Sequence, residues 1–341
     1  MSDSRYRAFV TAAECGSITR AAEILGYTQS GVSHLLDALE TEFGFRLLVR
    51  GRGGCMLTVE GEKMLPFVRT MLSAADTVSE MASDIKGQKS GSLRIGTFSS
   101  VALQWLPKLL NAFILHFPGI NVEIINGTYS TLENALLQRR VDCAFVTSPG
   151  ENGKSRFSDD ITVMSIAEDP LMALLPEGHR LGSFRELSPA DLQDESFIIP
   201  AEGSGYDVSS VFSLMDYAPV IRFDISDDFA AIGMVRGGLG ITVLPQLLLK
   251  DYPMDGLCAV PIGGIIRHIG LAFHSDYISP AVKAFINTIK GRVKNEFSFF
   301  TRSLFVAERC GLPFKRVHCP YPIEQIKSGP MRLSTFFSVC C

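Results

Sequence analysis

Apolar residues recur at helical spacing in three short stretches at the start of the chain. Tyr6, Phe9, Val10 and Ala13 share one helical face, which Gly16 ends. Ser17 is placed to cap a second helix with Ile18, Ala21, Ala22 and Leu25 inward. Gly26 supplies a turn, and Thr28 is placed to cap a third helix that turns Val32, Leu35, Leu36 and Leu39 inward. The spacing Ala22, Gly26, Val32, Leu35 is that of a helix-turn-helix: a small residue at the crossing, glycine in the turn, two aliphatics to lock the second helix. Two unrelated helices of a bundle are the bland alternative, and they would not need this spacing.

Further along, Met64, Val68, Met71, Ala75, Val78, Ala82 and Ile85 step by alternating fours and threes, flanked by Asp76, Glu80, Asp84 and Lys86. A 3.5-residue repeat of this kind predicts a long helix, capped by Thr58, that pairs with its own copy. Gly87 to Gly91 then reads as a hinge.

After residue 91 strands alternate with helices. Leu93–Thr97, Asn121–Ile125, Val141–Val146, Leu171–Leu175, Phe197–Ile199, Val220–Asp224 and Ile241–Leu244 read as strands, with helices over Ser100–His116 and Thr131–Arg139 between the first three. That alternation predicts an α/β domain with parallel sheets. A crossing near Ala167–Pro170 and a return near His268–Phe273 predict two hinged lobes. Residues 296–341 continue past the last helical pattern, with four cysteines and several phenylalanines, and nothing in them names a role.

With the third helix packed inward, Gln29, Ser30, Ser33, His34 and Asp37 face out. Gln pairs bidentately with adenine, and Ser or His hydrogen-bonds base edges or phosphates in a major groove. A solvated polar face would look similar, and the position just after the turn favours the reading face. Leu47–Arg50 and Cys55–Thr58 flank a glycine-rich tip, a two-stranded wing that would carry Arg50 and Arg52 to the backbone or minor groove.

Charge limits the strength of that interface. Residues 1–60 hold six arginines and seven acids, a net of −1, and the whole chain carries −4. Non-specific affinity per copy should be modest, since phosphate neutralisation supplies most of it, and pairing of two copies would make up the difference.

The eight cysteines show no CxxC pair, so neither a disulfide framework nor a zinc site is expected. The six histidines form no HExxH, and no triad motif or P-loop is present. An enzyme is therefore the weaker reading, and neither cofactor nor metal is expected. Leu257–Phe273 is interrupted by Pro261, two glycines, Arg267 and His268, which predicts buried strands and no membrane span, so the cytoplasm is the expected compartment.

The runs Phe9–Val10, Gly16–Glu23, Thr28–His34, Leu39–Glu40, Phe43–Arg50 and Leu57–Gly61 closely resemble the N-terminal signature of bacterial LysR-type transcriptional regulators. Gly91–Gly96 and Gly237–Pro245 resemble landmarks of that family's effector domain. The resemblance implies an α/β chain built from an N-terminal winged helix-turn-helix (1–60), a dimerising linker helix and hinge (61–90), and a two-lobed, periplasmic-binding-protein-like effector domain (91–295). Lobe 1 would take 91–166 and 269–295, and lobe 2 would take 167–268. It implies DNA-contact roles for Thr28, Gln29, Ser30, Ser33, His34, Arg50 and Arg52. Ser30 and His34 stand where the family more often has Pro and a basic residue, which bears on the half-site sequence. The implied partners are double-stranded promoter DNA, a small-molecule effector, a second copy or a tetramer, and RNA polymerase.

Ligands of such sheets bind beyond the carboxyl ends of strands. Those ends offer Thr97, Ser99, Ser100, Thr128 and Thr147 on lobe 1, and Pro200, Ser204 and Asp227 on lobe 2. Hydroxyls and free N–H groups at the helix start after Ser99 suit a small carboxylate. Helix capping would explain several of the same residues.

Overall fold

A computed structural model describes residues 3–51, 53–86, 90–148, 160–200, 205–225, 227–276 and 278–292. Three helices come first: α1 (Ser4–Cys15), α2 (Ile18–Leu25) and α3 (Gln29–Phe43). Each ends on a left-handed glycine, at Gly16, Gly26 and Gly44. The Ser17 hydroxyl accepts the Arg20 N–H, and the Thr28 hydroxyl accepts the Gly31 N–H at 3.1 Å, so both expected caps form. Phe9, Ala12, Ala21, Val32, Leu36 and Leu39 bury completely between the three helices.

The hairpin β1 (Leu48–Gly51) and β2 (Gly54–Leu57) pairs antiparallel. It docks on the end of α1, where the Cys55 N–H donates to the Gly16 carbonyl at 2.8 Å. A Cβ on Gly54, whose φ is +119°, would lie 2.3 Å from that same carbonyl oxygen, so only glycine fits there.

Helix α4 (Val59–Ile85) starts at Thr58, whose hydroxyl accepts the Gly61 N–H at 2.9 Å. Leu65, Val68 and Leu72 join the core of the first three helices, with Met64 packed beside them. This corrects the expected seam: the helix-turn-helix covers the face of Met64 and Val68 and rotates the free stripe, so that of the seven expected positions only Met71, Val78 and Ile85 stay on it. The exposed apolar series is instead Phe67, Met71, Ala74, Val78, Met81 and Ile85, still stepping by fours and threes. Phe67, Val78 and Ile85 are 72%, 69% and 82% exposed, too open for residues packed on their own domain.

The remainder is built on a six-stranded sheet. Its strands are β3 (Ser90–Thr97), β4 (Gly119–Asn126), β5 (Cys143–Ser148), β6 (Ile161–Pro176), β9 (Thr242–Pro245) and β10 (Leu257–His274), in the order β4-β3-β5-β10-β6-β9. A separate parallel pair joins β7 (Ser196–Pro200) and β8 (Val220–Ile225). Only β3–β4, β3–β5 and β7–β8 pair in parallel as sheet strands. The others are antiparallel, which departs from the parallel expectation. The reason lies in two long strands: β6 and β10 each run through both lobes and pair on either side of a break between Pro261 and Ile266, so one must return against the other.

Two cores sit at either end of this ribbon. One gathers Leu93, Ile95, Phe145 and Leu271 with α5 (Ser99–Gln104), α6 (Leu106–His116), α7 (Tyr129–Leu137) and α11 (Pro280–Arg292), and Phe285 meets Phe113 edge-on at 5.6 Å. The other gathers Leu171, Phe197, Val243 and Val260 with α8 (Gly205–Phe212). Helix α9 (Asp228–Arg236) flanks β7, and α10 (Gln246–Leu249) follows β9. The helix expected over Ser100–His116 is two helices, because Pro107 occupies the first turn of α6 and the chain bends at Trp105.

Candidate functional site

The outward face of α3 is open. Thr28, Gln29, Ser30 and His34 are exposed and Ser33 is half-buried, all within the first two turns of the helix. Thr28 spends its hydroxyl on the cap and on Ser30 Oγ at 3.1 Å. Gln29 and His34 make no intramolecular hydrogen bond among the described residues and keep their full bonding capacity toward an outside partner.

The arginines are less free than the sequence suggests. Arg50 donates to Glu40 Oε2 at 3.2 Å and lies 2.9 Å from Asp37 Oδ1, and Arg46 donates to the same Glu40 oxygen at 2.8 Å. The other oxygen, Glu40 Oε1, accepts the buried N–H groups of Leu47 and Leu48 at 2.8 and 3.1 Å. One buried carboxylate on α3 thus fixes the first strand of the wing. Arg5 pairs with Glu42, and Arg7 with Asp3 and Asp76. Among the described residues of this domain, Arg20 in the first turn of α2 is the exposed arginine with no ion pair. Arg52 lies outside the described residues.

The interlobe candidates separate into two groups. Thr97 and Thr147 are buried at their strand ends, and Pro200 is buried at the end of β7. Ser99 is half-buried. Thr128 and Asp227 act as helix caps, accepting the N–H groups of Thr131 at 3.2 Å and Ala230 at 2.8 Å. Ser204 lies outside the described residues. Ser100 alone among them joins a polar cluster that reaches both lobes.

That cluster centres on Arg267, in the middle of β10. Its Nε donates to Asp169 Oδ2 at 2.8 Å, and Nη2 donates to Asp169 Oδ2 and Ser100 Oγ, both at 2.6 Å. Nη1 donates to the Tyr129 hydroxyl at 2.5 Å and to Asp207 Oδ2 at 3.3 Å. All five donors of the guanidinium are therefore engaged. Asp169 accepts a further hydrogen bond from the Leu247 N–H at 2.8 Å. Burial is the largest influence on both carboxyls, raising Asp169 above the usual range and Asp207 to about 6, with Arg267 pulling each the other way. Burial likewise raises the Tyr129 phenol, and the surrounding acids raise Arg267 against its own desolvation.

The sequence held one signal for this cluster. Arg267 interrupts an apolar strand, and β10 pairs it directly opposite Asp169. Tyr129 and Asp207 arrive from helices, at a distance that strand patterning does not encode.

Two family patterns match the chain. The pattern described as "Bacterial regulatory helix-turn-helix protein, lysR family" covers residues 4–62, and that of the "LysR substrate binding domain" covers residues 86–294, more than half of the chain. The chain belongs to the LysR family. This LysR-family protein is a DNA-binding transcriptional regulator with an effector-binding domain, and its relatives are regulators rather than enzymes. It is 30% identical to the probable HTH-type transcriptional regulator LrrA of Synechococcus elongatus over 85% of this chain and 97% of that one. It is 29% identical to the HTH-type transcriptional activator CmpR of Synechocystis, over 75% and 83%. Its fold is that of a full-length OxyR variant from Pseudomonas aeruginosa, with a TM-score of 0.68, 21% identity and coverage of 85% and 98%. Full-length CbnR in complex with its target DNA shares the fold at a TM-score of 0.56, 20% identity and coverage of 85% and 99%. No helix of the described residues of this LysR-family protein is long and apolar enough to cross a membrane.

Proposed function

We propose that this LysR-family regulator reads promoter DNA through the first two turns of α3, as a dimer paired along α4, with an effector in the interlobe cleft setting its activity. The observation that carries the reading is the open face of α3, where Gln29 and His34 are exposed and unengaged, while every described arginine of the domain except Arg20 is held in an ion pair. Gln29, with Ser30, Ser33 and His34, meets base edges, and Thr28 and Arg20 stand at helix starts where phosphates lie. Arg50 and Arg52 belong to the wing. Arg50 holds the wing to α3 through Glu40, so any contact it makes with phosphate competes with Asp37 and Glu40.

The exposed stripe from Phe67 to Ile85 supports pairing of two copies, which would present two α3 helices to a two-fold site and raise affinity above what one nearly neutral domain provides. Tetramers, a cytoplasmic location and contact with RNA polymerase follow as expectations of the same reading.

In the cleft, an effector would sit among Thr97, Ser99, Ser100, Thr128, Thr147, Pro200, Ser204 and Asp227. Because every donor of Arg267 is engaged, a carboxylate-bearing effector would bind it by exchanging with Asp207, the one cluster carboxylate carried by a helix of the second lobe. Such an exchange couples occupancy to lobe closure, since it binds one arrangement better than the other.

Fluorescence anisotropy of the full chain on its own upstream intergenic DNA, against scrambled DNA at near-physiological salt, tests the proposal. The expected result is salt-sensitive preference for the upstream sequence, weakened in Gln29→Ala. Equal binding of both DNAs by both proteins would overturn it.

A further inference from the structure

Helix α4 meets the first lobe through side chains at widely separated points. Toward its C-terminal end Glu80 accepts the Ser92 N–H at 3.1 Å, and the Ser83 and Ser90 hydroxyls lie 2.9 Å apart. Those ties sit beside the chain's own passage from α4 into β3. Arg69 makes its contact far from that passage, eleven residues before Glu80 and so about 16 Å along the helix axis.

Arg69 is 7% exposed and turned away from the open stripe. Its Nη2 donates to Glu14 Oε1 on α1 at 2.8 Å, and its Nη1 donates to Gln138 Oε1 in the first lobe at 3.2 Å. Its Nε is buried with no hydrogen-bond partner, and desolvation lowers the guanidinium pKa against the pull of Glu14. The two Nη contacts therefore define its place, one in the DNA-reading domain and one in the sensor. They are unequal. Glu14 offers a charge and Gln138 a neutral amide, so the Gln138 side gives first.

Gln138 closes the C-terminal end of α7, its N–H donating to the Asn134 and Leu136 carbonyls. The other end of that helix is Tyr129, whose hydroxyl meets Arg267 Nη1 and Asp207 of the second lobe. Between them Leu132, Ala135 and Leu136 are buried in the first-lobe core, so α7 does not slide by itself. A pull on Tyr129 turns the lobe as one body and is felt at Gln138. Because α4 is tied to the lobe near Glu80, the turn is felt most at Arg69. A tilt of about 5° over that length parts the pair by roughly 1.4 Å, past hydrogen-bond reach.

We propose that Arg69 and Gln138 form a latch that carries the state of the interlobe cluster to the DNA-reading domain. It is closed while Tyr129 keeps its contacts with Arg267 and Asp207, and it releases when the second lobe moves. Release leaves Arg69 with Glu14 and frees the domain that carries α3 from the first lobe. The proposal rests on the reading of the cleft as the effector site, and adds the route by which occupancy leaves the sensor. A simple brace would hold α4 whatever happens at Tyr129, and its loss would add to the loss of the Tyr129 hydroxyl.

The test is pulsed dipolar spectroscopy of the full chain, with spin-labelled unnatural residues in place of Glu23 on α2 and Lys108 on α6, both exposed. Excess unlabelled chain keeps the measured distance within one copy. Gln138 is itself exposed, so its replacement leaves the core intact. Gln138→Ala should broaden the distance distribution at least twofold. Gln138→Glu, which gives Arg69 a second carboxylate, should keep it as narrow as in the parent. Tyr129→Phe should broaden it in the parent and add nothing in the Gln138→Ala background. Anisotropy on the upstream DNA should follow the same pattern, with Tyr129→Phe changing affinity at least threefold only where Gln138 is present. The distances need neither DNA nor effector, so they decide the latch even where the DNA reading fails. An unchanged distribution in Gln138→Ala, or equal effects of Tyr129→Phe in both backgrounds, would overturn the proposal.

Discussion

The hydroxyl of Tyr129 donates to the carboxylate of Asp207 at 3.0 Å, joining a helix of one lobe directly to a helix of the other. Both groups also meet Arg267 Nη1, so three side chains from three elements share one buried contact. A polar cluster of this kind is strongly directional, and each member left alone is expensive.

Removing the bridge should therefore be felt between the lobes. Tyr129→Phe keeps the ring against Phe98, 5.1 Å away, and deletes only the hydroxyl. The expected cost is about 1–3 kcal/mol for the donor and acceptor left unmet. A double-mutant cycle with Asp207→Asn should give a coupling above about 0.5 kcal/mol, as for residues sharing one network. Strict additivity would show that the contact does not bind the lobes.

The same carboxyl predicts a pH dependence. Burial lifts Asp207 from 3.8 to about 6, and unfolding returns it to the lower value. Between those values the folded chain holds more protons, so the stability contributed at this position falls as pH rises through that window. The span corresponds to on the order of 3 kcal/mol. Asp207→Asn does not titrate, so it should gain on the parent between pH 4 and pH 7. Urea denaturation of both proteins across that range checks this, and a constant difference would contradict it.

Glu40 should matter to DNA binding without touching DNA. Its carboxylate holds the Leu47 and Leu48 amides and two wing arginines. Glu40→Ala strands two buried N–H groups, an expected loss of about 2–5 kcal/mol in stability. Binding should weaken even where the variant is still folded, because the wing is released from α3. Affinity equal to that of the parent at a temperature where both are folded would refute the positioning role.

A charge placed in the α4 stripe should separate the copies. Val78→Glu adds a carboxylate to the proposed helix–helix seam, so sedimentation should shift toward the monomer and affinity for a two-half-site DNA should fall at least tenfold. A variant that sediments and binds as the parent does would place the dimer contact elsewhere.

Much of this architecture is legible in the residues themselves. The caps at Ser17 and Thr28, the glycine turn, the hairpin and the α/β alternation are local patterns, and they form where the spacing places them. The α4 stripe was legible only in its period. Its phase depends on which face the first domain covers, and that is a tertiary fact: Val68 turns inward and Phe67 outward. The antiparallel pairing of β6 with β10 also escapes local reading, since direction follows from the route of the chain between lobes. The Arg267 cluster was least legible, because Ser100, Tyr129, Asp169 and Asp207 meet it from 60 to 167 residues away.

Whether α3 reads DNA as one half of a dimer is decided by selecting binding sites from a randomised duplex library with the full chain and with Gln29→Ala. The parent should enrich a two-fold sequence whose half-sites lie about one helical turn, or a multiple of it, apart. Gln29→Ala should recover the same spacing with one symmetry-related pair of positions relaxed. Enrichment of an asymmetric single site, or an identical preference in both proteins, would contradict this reading.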